Sequence, residues 1–239
     1  MMRVGNLSLA RAGRLLWSVL SFEVLSGEVT VVLGPNGAGK SSLLLALAGL
    51  LPAEGSIALA GRPLTEWSRH DLARRIVWAG ELPPSEFGLT VRQRLALAAE
   101  GGGIEAAADA LELSALLDRP LGNLSSGERQ RVELAAVRLR DCPLWLLDEP
   151  AAHLDLRHQI QCLSLMRAAK AEGRAVVTVL HDLAQAQAVA DRVILLDGMG
   201  GAASGAASEL MRLERLQPLY GAPMVSRDGL LLPEYGGER

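Results

Sequence analysis

The chain has 239 residues, of which 49% are hydrophobic and 21% charged, with a formal net charge of −3. That mix supports a full buried core and excludes a disulfide-stapled miniprotein, wholesale disorder and a fibrous repeat; the near-balanced charge gives no overall attraction to nucleic acid or anionic lipid. The longest stretch without a charged residue is 13, Ser41 to Ala53, short of the roughly 20 apolar residues that cross a bilayer. Two cysteines, Cys142 and Cys162, lack metal-ligand spacing and read as idle thiols of a reducing compartment. A mean hydropathy of +0.21 suggests an apolar surface covered by a partner.

Short strand-like runs open the chain at Val4 to Leu9, Leu15 to Leu20 and Glu28 to Leu33, the last almost continuously apolar and bounded by Gly27 and Gly34. A glycine-rich turn leads into a helix predicted over Ser41 to Leu51, stopped by Pro52. Ser56 to Leu64 reads as a strand turning at Gly61, Ser68 to Arg75 as a helix and Ile76 to Ala79 as a strand. From Thr90 to Arg140 the composition turns Ala-, Leu-, Glu- and Arg-rich, which predicts a helical insert. Apolar strands resume at Leu144 to Leu147, Ala175 to Leu180 and Val193 to Leu196, separated by helices over Leu154 to Lys170 and Leu183 to Val189. Fully apolar strands alternating with helices imply an α/β fold with a mainly parallel sheet covered on both faces. Gly198 to Gly205 reads as a small-residue loop, followed by a helix near Ser208 to Leu216 and an irregular end.

Gly34-Pro35-Asn36-Gly37-Ala38-Gly39-Lys40-Ser41 matches G-x-x-x-x-G-K-[ST] between a buried strand and a helix. Glycines let successive amides turn inward on a phosphate, and the following helix adds the positive end of its dipole. Lys40, one of only two lysines, brings a mobile charge, and Ser41 a hydroxyl ligand for Mg²⁺. The strand Leu144 to Leu147 ends in Asp148-Glu149, where open α/β sheets place ligands. Asp148 is the candidate Mg²⁺ holder and Glu149 the candidate general base for an attacking water. His181 ends another apolar strand and is either a capping residue or a contact to the γ-phosphate or its water; His70, His153 and His158 read as surface residues. Ser125 and Glu128 form an S-x-x-E capping box that accounts for a well-started helix.

Taken in order, the phosphate loop, Leu124 to Gln130, the Asp-Glu strand, Ala151 to Asp155 and His181 resemble the five motifs of an ABC transporter ATPase subunit, over nearly the whole chain. The resemblance implies a P-loop fold of ABC type: one ATPase domain over 1–239, with a nucleotide-binding core and an N-terminal antiparallel β subdomain in 1–81 and 141–239, and a helical subdomain in 82–140. It implies ATP on residues 34–42 (Gly34 to Ser41 with Ser42 following), and Mg²⁺ on Ser41, Asp148 and Glu81. It makes Asp155 the D-loop aspartate and His181 the switch histidine. Ser125, Ser126, Gly127 and Glu128 would meet the ATP of a second, head-to-tail copy or related subunit. The further partners implied are transmembrane permease subunits and, indirectly, a substrate-binding protein, with no nucleic acid; the place implied is the cytoplasmic face of the inner membrane. The phrases Gly61 to Leu64, Leu72 to Arg75 and Leu219-Tyr220-Gly221 are similar to the importers of metal chelates, haem or cobalamin. The alternative is an ABC-type ATPase with another cargo or a non-transport role.

Three positions depart from the family pattern. Glu81 stands where the Q-loop glutamine is expected, and Ser126 replaces the first signature glycine. No aromatic precedes Trp17, so Arg11 is left either to stack on the base by its guanidinium or to be solvated. Leu82, Phe87, Leu89 and Val91 either form a groove for a permease helix or pack the insert internally.

Overall fold

The computed structural model describes residues 1–11, 13–80 and 88–234. Strands β1 (Met2–Arg11), β2 (Arg14–Val24), β4 (Glu54–Leu59) and β5 (Arg62–Pro63) form an antiparallel sheet in the order β2-β1-β4-β5. The second sheet has six strands: β3 (Val29–Leu33), β6 (Ile76–Ala79), β7 (Leu144–Asp148), β8 (Ala175–Val179), β9 (Arg192–Leu196) and β10 (Ala202–Ala206). Its order is β10-β9-β3-β8-β7-β6, parallel throughout except for the antiparallel edge strand β10.

Alternate residues of each central strand serve two separate cores, as the period of two requires. Val31, Trp145, Leu147, Val176 and Val193 face one core. It is closed by the helices α3 (Val91–Ala96), α4 (Ile104–Ala110), α5 (Ser126–Leu139), α6 (Leu156–Ala171) and α7 (Leu183–Val189). Val32, Leu144, Leu146, Val177 and Ile194 face the other, filled from α1 (Lys40–Leu47) and the antiparallel sheet. Burial on both faces is why these strands read as continuous apolar runs. The helix α2 (Arg69–Ala73) starts on a Ser68 cap whose side chain accepts from Asp71 N.

Three expectations about the chain from Gly198 onward are overturned. The small-residue segment after Gly198 contains β10, which lacks β-branched residues but is held by a full ladder to β9 and by Ser204 Oγ donating to Ser21 O at 2.9 Å. The backbone ladder outweighs weak propensity, and small side chains let β2 approach. The end is a hairpin, β11 (Met224–Arg227) with β12 (Leu230–Pro233), turning at Asp228-Gly229, both at positive φ. Asp-Gly between strand-like flanks is the sequence signal for that turn. The predicted helix over Ser208 to Leu216 is two pieces, α8 (Ala207–Leu210) and α9 (Leu213–Tyr220).

The second lysine has a structural task. Lys170 Nζ reaches Asp191 Oδ1 at 2.5 Å, while Asp191 Oδ2 accepts from Val29 N at 2.9 Å and so pins the start of β3. Asp191→Ala leaves that amide without its partner and is expected to destabilise the fold by about 1–3 kcal/mol. Lys170→Met removes only a part-exposed ion pair and should cost less than about 1 kcal/mol. Urea unfolding of the two variants checks the order; a larger loss for Lys170→Met contradicts it.

Candidate active site

The parallel register carries the ends of three strands to one edge. Val32 of β3 pairs with Val179 of β8, and Val179 with Asp148 of β7, so Gly34, Asp148-Glu149 and His181 emerge side by side. A cleft of about 660 Å³ there is lined by Arg11, Leu16, Asn36, Gly37, Gly39, Lys40, Ser41, Ser42, Glu149 and His181. A second, of about 540 Å³, is lined by Arg11, Ser41, Trp78, Gly80, Gln130, Asp148, Glu149 and His153 among others.

At both ends of the loop, Gly34 and Gly39, the main chain passes where no side chain fits. A Cβ on Gly34 (φ +150°) would sit 2.1 Å from the Leu196 carbonyl oxygen, and one on Gly39 (φ +90°) 2.8 Å from the Trp17 indole nitrogen. Trp17 is fully buried and its Nε1 donates to Gly39 O at 3.4 Å, so the antiparallel sheet props the loop from below. Lys40 Nζ donates to Gly34 O and Pro35 O, each at 2.9 Å, which draws the ammonium across the loop. Burial pulls the Lys40 amine below the usual lysine range, while the charges of Glu149 and Asp148 act to keep it protonated.

Asp148 is pushed the other way: burial raises its carboxyl above the usual range, with Glu149 adding to the rise and the Ser41 hydroxyl, Lys40 and His181 opposing it. Its Oδ1 is buried without a hydrogen-bond partner. Among the described residues no three His, Cys, Asp or Glu side chains are clustered to hold a metal. A lone unpaired carboxylate oxygen next to a hydroxyl fits a cation such as Mg²⁺, which takes the rest of its ligands from phosphate and water. Glu149 stands at φ +51°, in the left-handed region, and its Oε1 lies 2.6 Å from His181 Nε2. A non-glycine residue held there costs energy that the surrounding contacts must offset.

The profile of the ABC transporter family matches residues 17–152. The chain belongs to the ABC transporter family. It is 43% identical over 232 residues to the hemin import ATP-binding protein HmuV of Streptomyces coelicolor, spanning 92% of this chain and 83% of that one. The HmuV protein of Nocardia farcinica is 41% identical over 221 residues, spanning 87% and 77%. Among solved structures, one assigned to a metal-chelate type ABC transporter in an inward-facing conformation superposes with a TM-score of 0.81 at 26% identity, over 98% of this chain and 97% of that one. An ATP-binding subunit of an ABC transporter gives 0.80 at 26% identity over 93% and 95%. The chain is therefore an ATP-binding subunit and an ATPase of α/β fold.

Of the remaining ABC motifs, Leu124 to Gln130 starts α5 with a complete capping box: Ser125 Oγ accepts from Glu128 N at 3.2 Å and Glu128 Oε2 accepts from Ser125 N at 2.7 Å. The Ser125 amide and hydroxyl hold the Glu128 carboxyl below its usual range. Ser126 is the first helical residue. Gly127 lies against the segment after β7, where a Cβ would be 2.8 Å from His153 O. Asp155 caps α6, accepting from His158 N at 2.9 Å. Arg11 is exposed at the rim of both clefts. Glu81, with Leu82 and Phe87, lies outside the described residues. Val91 is fully buried and Leu89 packs on the same core, so these two fill the insert rather than line a groove.

His158 also departs from its expected surface place: its side chain is 16% exposed, with Nδ1 2.8 Å from Asp155 Oδ1 and Nε2 3.8 Å from Glu112 Oε2. Glu112 accepts from Gln161 Nε2 at 2.8 Å and pairs with Arg157, so it ties the insert to α6. Buried Gln130 donates from Nε2 to Pro150 O at 3.1 Å, joining α5 to the end of β7. Trp17 and Gln130 carry no local signal for these tasks, since both depend on elements distant in sequence. Gly127→Ala forces α5 away from His153 and is expected to lower ATP turnover about tenfold or more. ATP affinity of the single chain should change little, because the phosphate loop is untouched. Turnover within twofold of the parent, measured by phosphate release, contradicts the packing role.

Proposed function

We propose that this ATPase powers import through transmembrane permease subunits, working as a head-to-tail pair with a second copy or a related subunit at the cytoplasmic face of the membrane. Among the described residues no helix is long and apolar enough to cross a membrane, so attachment falls to the permease. The family relatives are named for hemin import, and the structural neighbour for metal-chelate transport. Hemin or a metal chelate is accordingly the proposed cargo class, selected by permease and substrate-binding protein. The proposed organisation is a single domain, with core residues 1–81 and 141–239 and helical residues 82–140.

In this reading the glycine-rich loop and Lys40 would hold the β- and γ-phosphates, and Ser41, Asp148 and Glu81 would hold Mg²⁺. Mg²⁺ held there would supply positive charge against that developing on the phosphates. Glu149 accepts the proton of the attacking water and His181 fixes its carboxylate. Ser125 to Glu128 of the second copy, at the positive end of α5, close over the γ-phosphate. Arg11, at the rim beside Leu16, lies against the base. The observation that carries the proposal is the 2.6 Å contact between His181 and Glu149 at the mouth of the cleft that holds Lys40.

Glu149→Gln removes the base while keeping the shape. It should retain MgATP binding, lose turnover by about 10²-fold or more, and accumulate as a dimer in MgATP but not in ADP by light scattering. Turnover near the parent value, or a monomer in millimolar MgATP, overturns the mechanism.

A further inference from the structure

Two glutamines outside every motif, Gln159 and Gln185, close a ring around Glu149. The Glu149 carbonyl accepts from Ala152 N at 3.0 Å, turning the chain back after β7. The Leu154 carbonyl accepts from Gln159 Nε2 at 3.1 Å. Gln159 Oε1 in turn accepts from Gln185 Nε2 at 3.1 Å, a bond that crosses from α6 to α7. Gln185 N donates to Asp182 Oδ1 at 3.0 Å, and Asp182 follows His181, whose Nε2 returns to Glu149 Oε1 at 2.6 Å.

The amide orientations in this ring are dictated by their partners. A carbonyl can only accept, so Gln159 must turn its NH₂ to Leu154 and leave its oxygen for Gln185. Both glutamines are half-buried, where a lost partner costs more than on an open surface. By contrast the side chains they serve are 48% exposed at His181 and 44% at Glu149, so packing alone does not immobilise that pair. Two residues of the enclosed segment, Glu149 at φ +51° and His153 at φ +62°, stand in the left-handed region. Such a backbone persists where surrounding contacts over-determine it.

We propose that Gln159 and Gln185 are positioning residues for ATP hydrolysis: they set the spacing between residues 151–155 and the start of α7, and so hold His181 against Glu149. The inference rests on the assignment of Glu149 and His181 to the reaction. It extends that assignment to two side chains that line neither of the two clefts.

The test compares the purified full chain with Gln159→Leu, Gln185→Leu and the double variant, measuring kcat and KM for MgATP together with the thermal unfolding midpoint. Gln185→Leu strands Gln159 Oε1 and Gln159→Leu strands both Gln185 Nε2 and the Leu154 carbonyl, whereas the double change puts two apolar side chains of similar size face to face and leaves only the Leu154 carbonyl without its donor. The double variant should therefore unfold no lower than Gln159→Leu and keep KM within about twofold, yet stay about tenfold or more down in kcat, the sensitivity expected of a displaced reacting group. Recovery of kcat together with stability would overturn the proposal and reduce the ring to packing. Should the leucine variants fail to fold, Gln185→Ser shortens the side chain instead and is read by the same kcat-against-KM split. Glu149→Gln run alongside separates the two levels. If it loses turnover while the double variant keeps it, only the ring falls; if it keeps turnover, the assignment beneath the ring falls as well.

Discussion

The site depends on two points of main chain, at either end of one loop, where a methyl group cannot go. Between Leu33 and Lys40 the backbone runs so close to its neighbours that a side chain at Gly34 would collide with the Leu196 carbonyl and one at Gly39 with the Trp17 indole. That confinement comes from the two-sheet architecture. Strand β9 lies beside β3, the antiparallel sheet lies beneath, and the loop is pressed between them. Lys40 can then lie over the loop, and Asp148, Glu149 and His181 arrive from neighbouring strands at matching heights.

Around this edge, contacts between distant segments make one unit of several motifs. Gly127 and Gln130 bring the start of α5 against the chain that follows Glu149, and His158 with Glu112 joins α6 to the helical insert. Motion of the insert relative to the sheet would thus be felt at residues 150–155, one step from the proposed base. These polar contacts lie over an apolar core that Ala151 and Leu154 share with Leu124 and α5. They are mostly single hydrogen bonds to carbonyls or half-exposed ion pairs, which a modest change in binding energy can rearrange.

The sequence made the central sheet legible because strands buried on both faces advertise themselves as unbroken apolar runs, and because the phosphate loop and the Asp-Glu strand obey local rules. The capping box at Ser125 and Glu128 was readable for the same reason. What stayed hidden depends on partners far along the chain. Strand β10 has Ala, Ser and Gly where β-branched residues would announce it, and exists through its ladder to β9. His158 looks like a surface histidine until Glu112 is folded beside it, and Trp17 looks like one more strand aromatic until Gly39 lies above it. The Asp228-Gly229 hairpin was legible in its turn residues and differs from the irregular end expected there.

The most direct measurement is calorimetric titration of the parent chain and of Gly39→Ala with MgATP. The parent should bind, and the added methyl, driven against Trp17 at a positive φ, should weaken binding by about tenfold or more while near-ultraviolet circular dichroism shows the fold intact. An unchanged affinity in a folded Gly39→Ala chain would contradict the claim that the confined backbone of the loop is what holds the nucleotide.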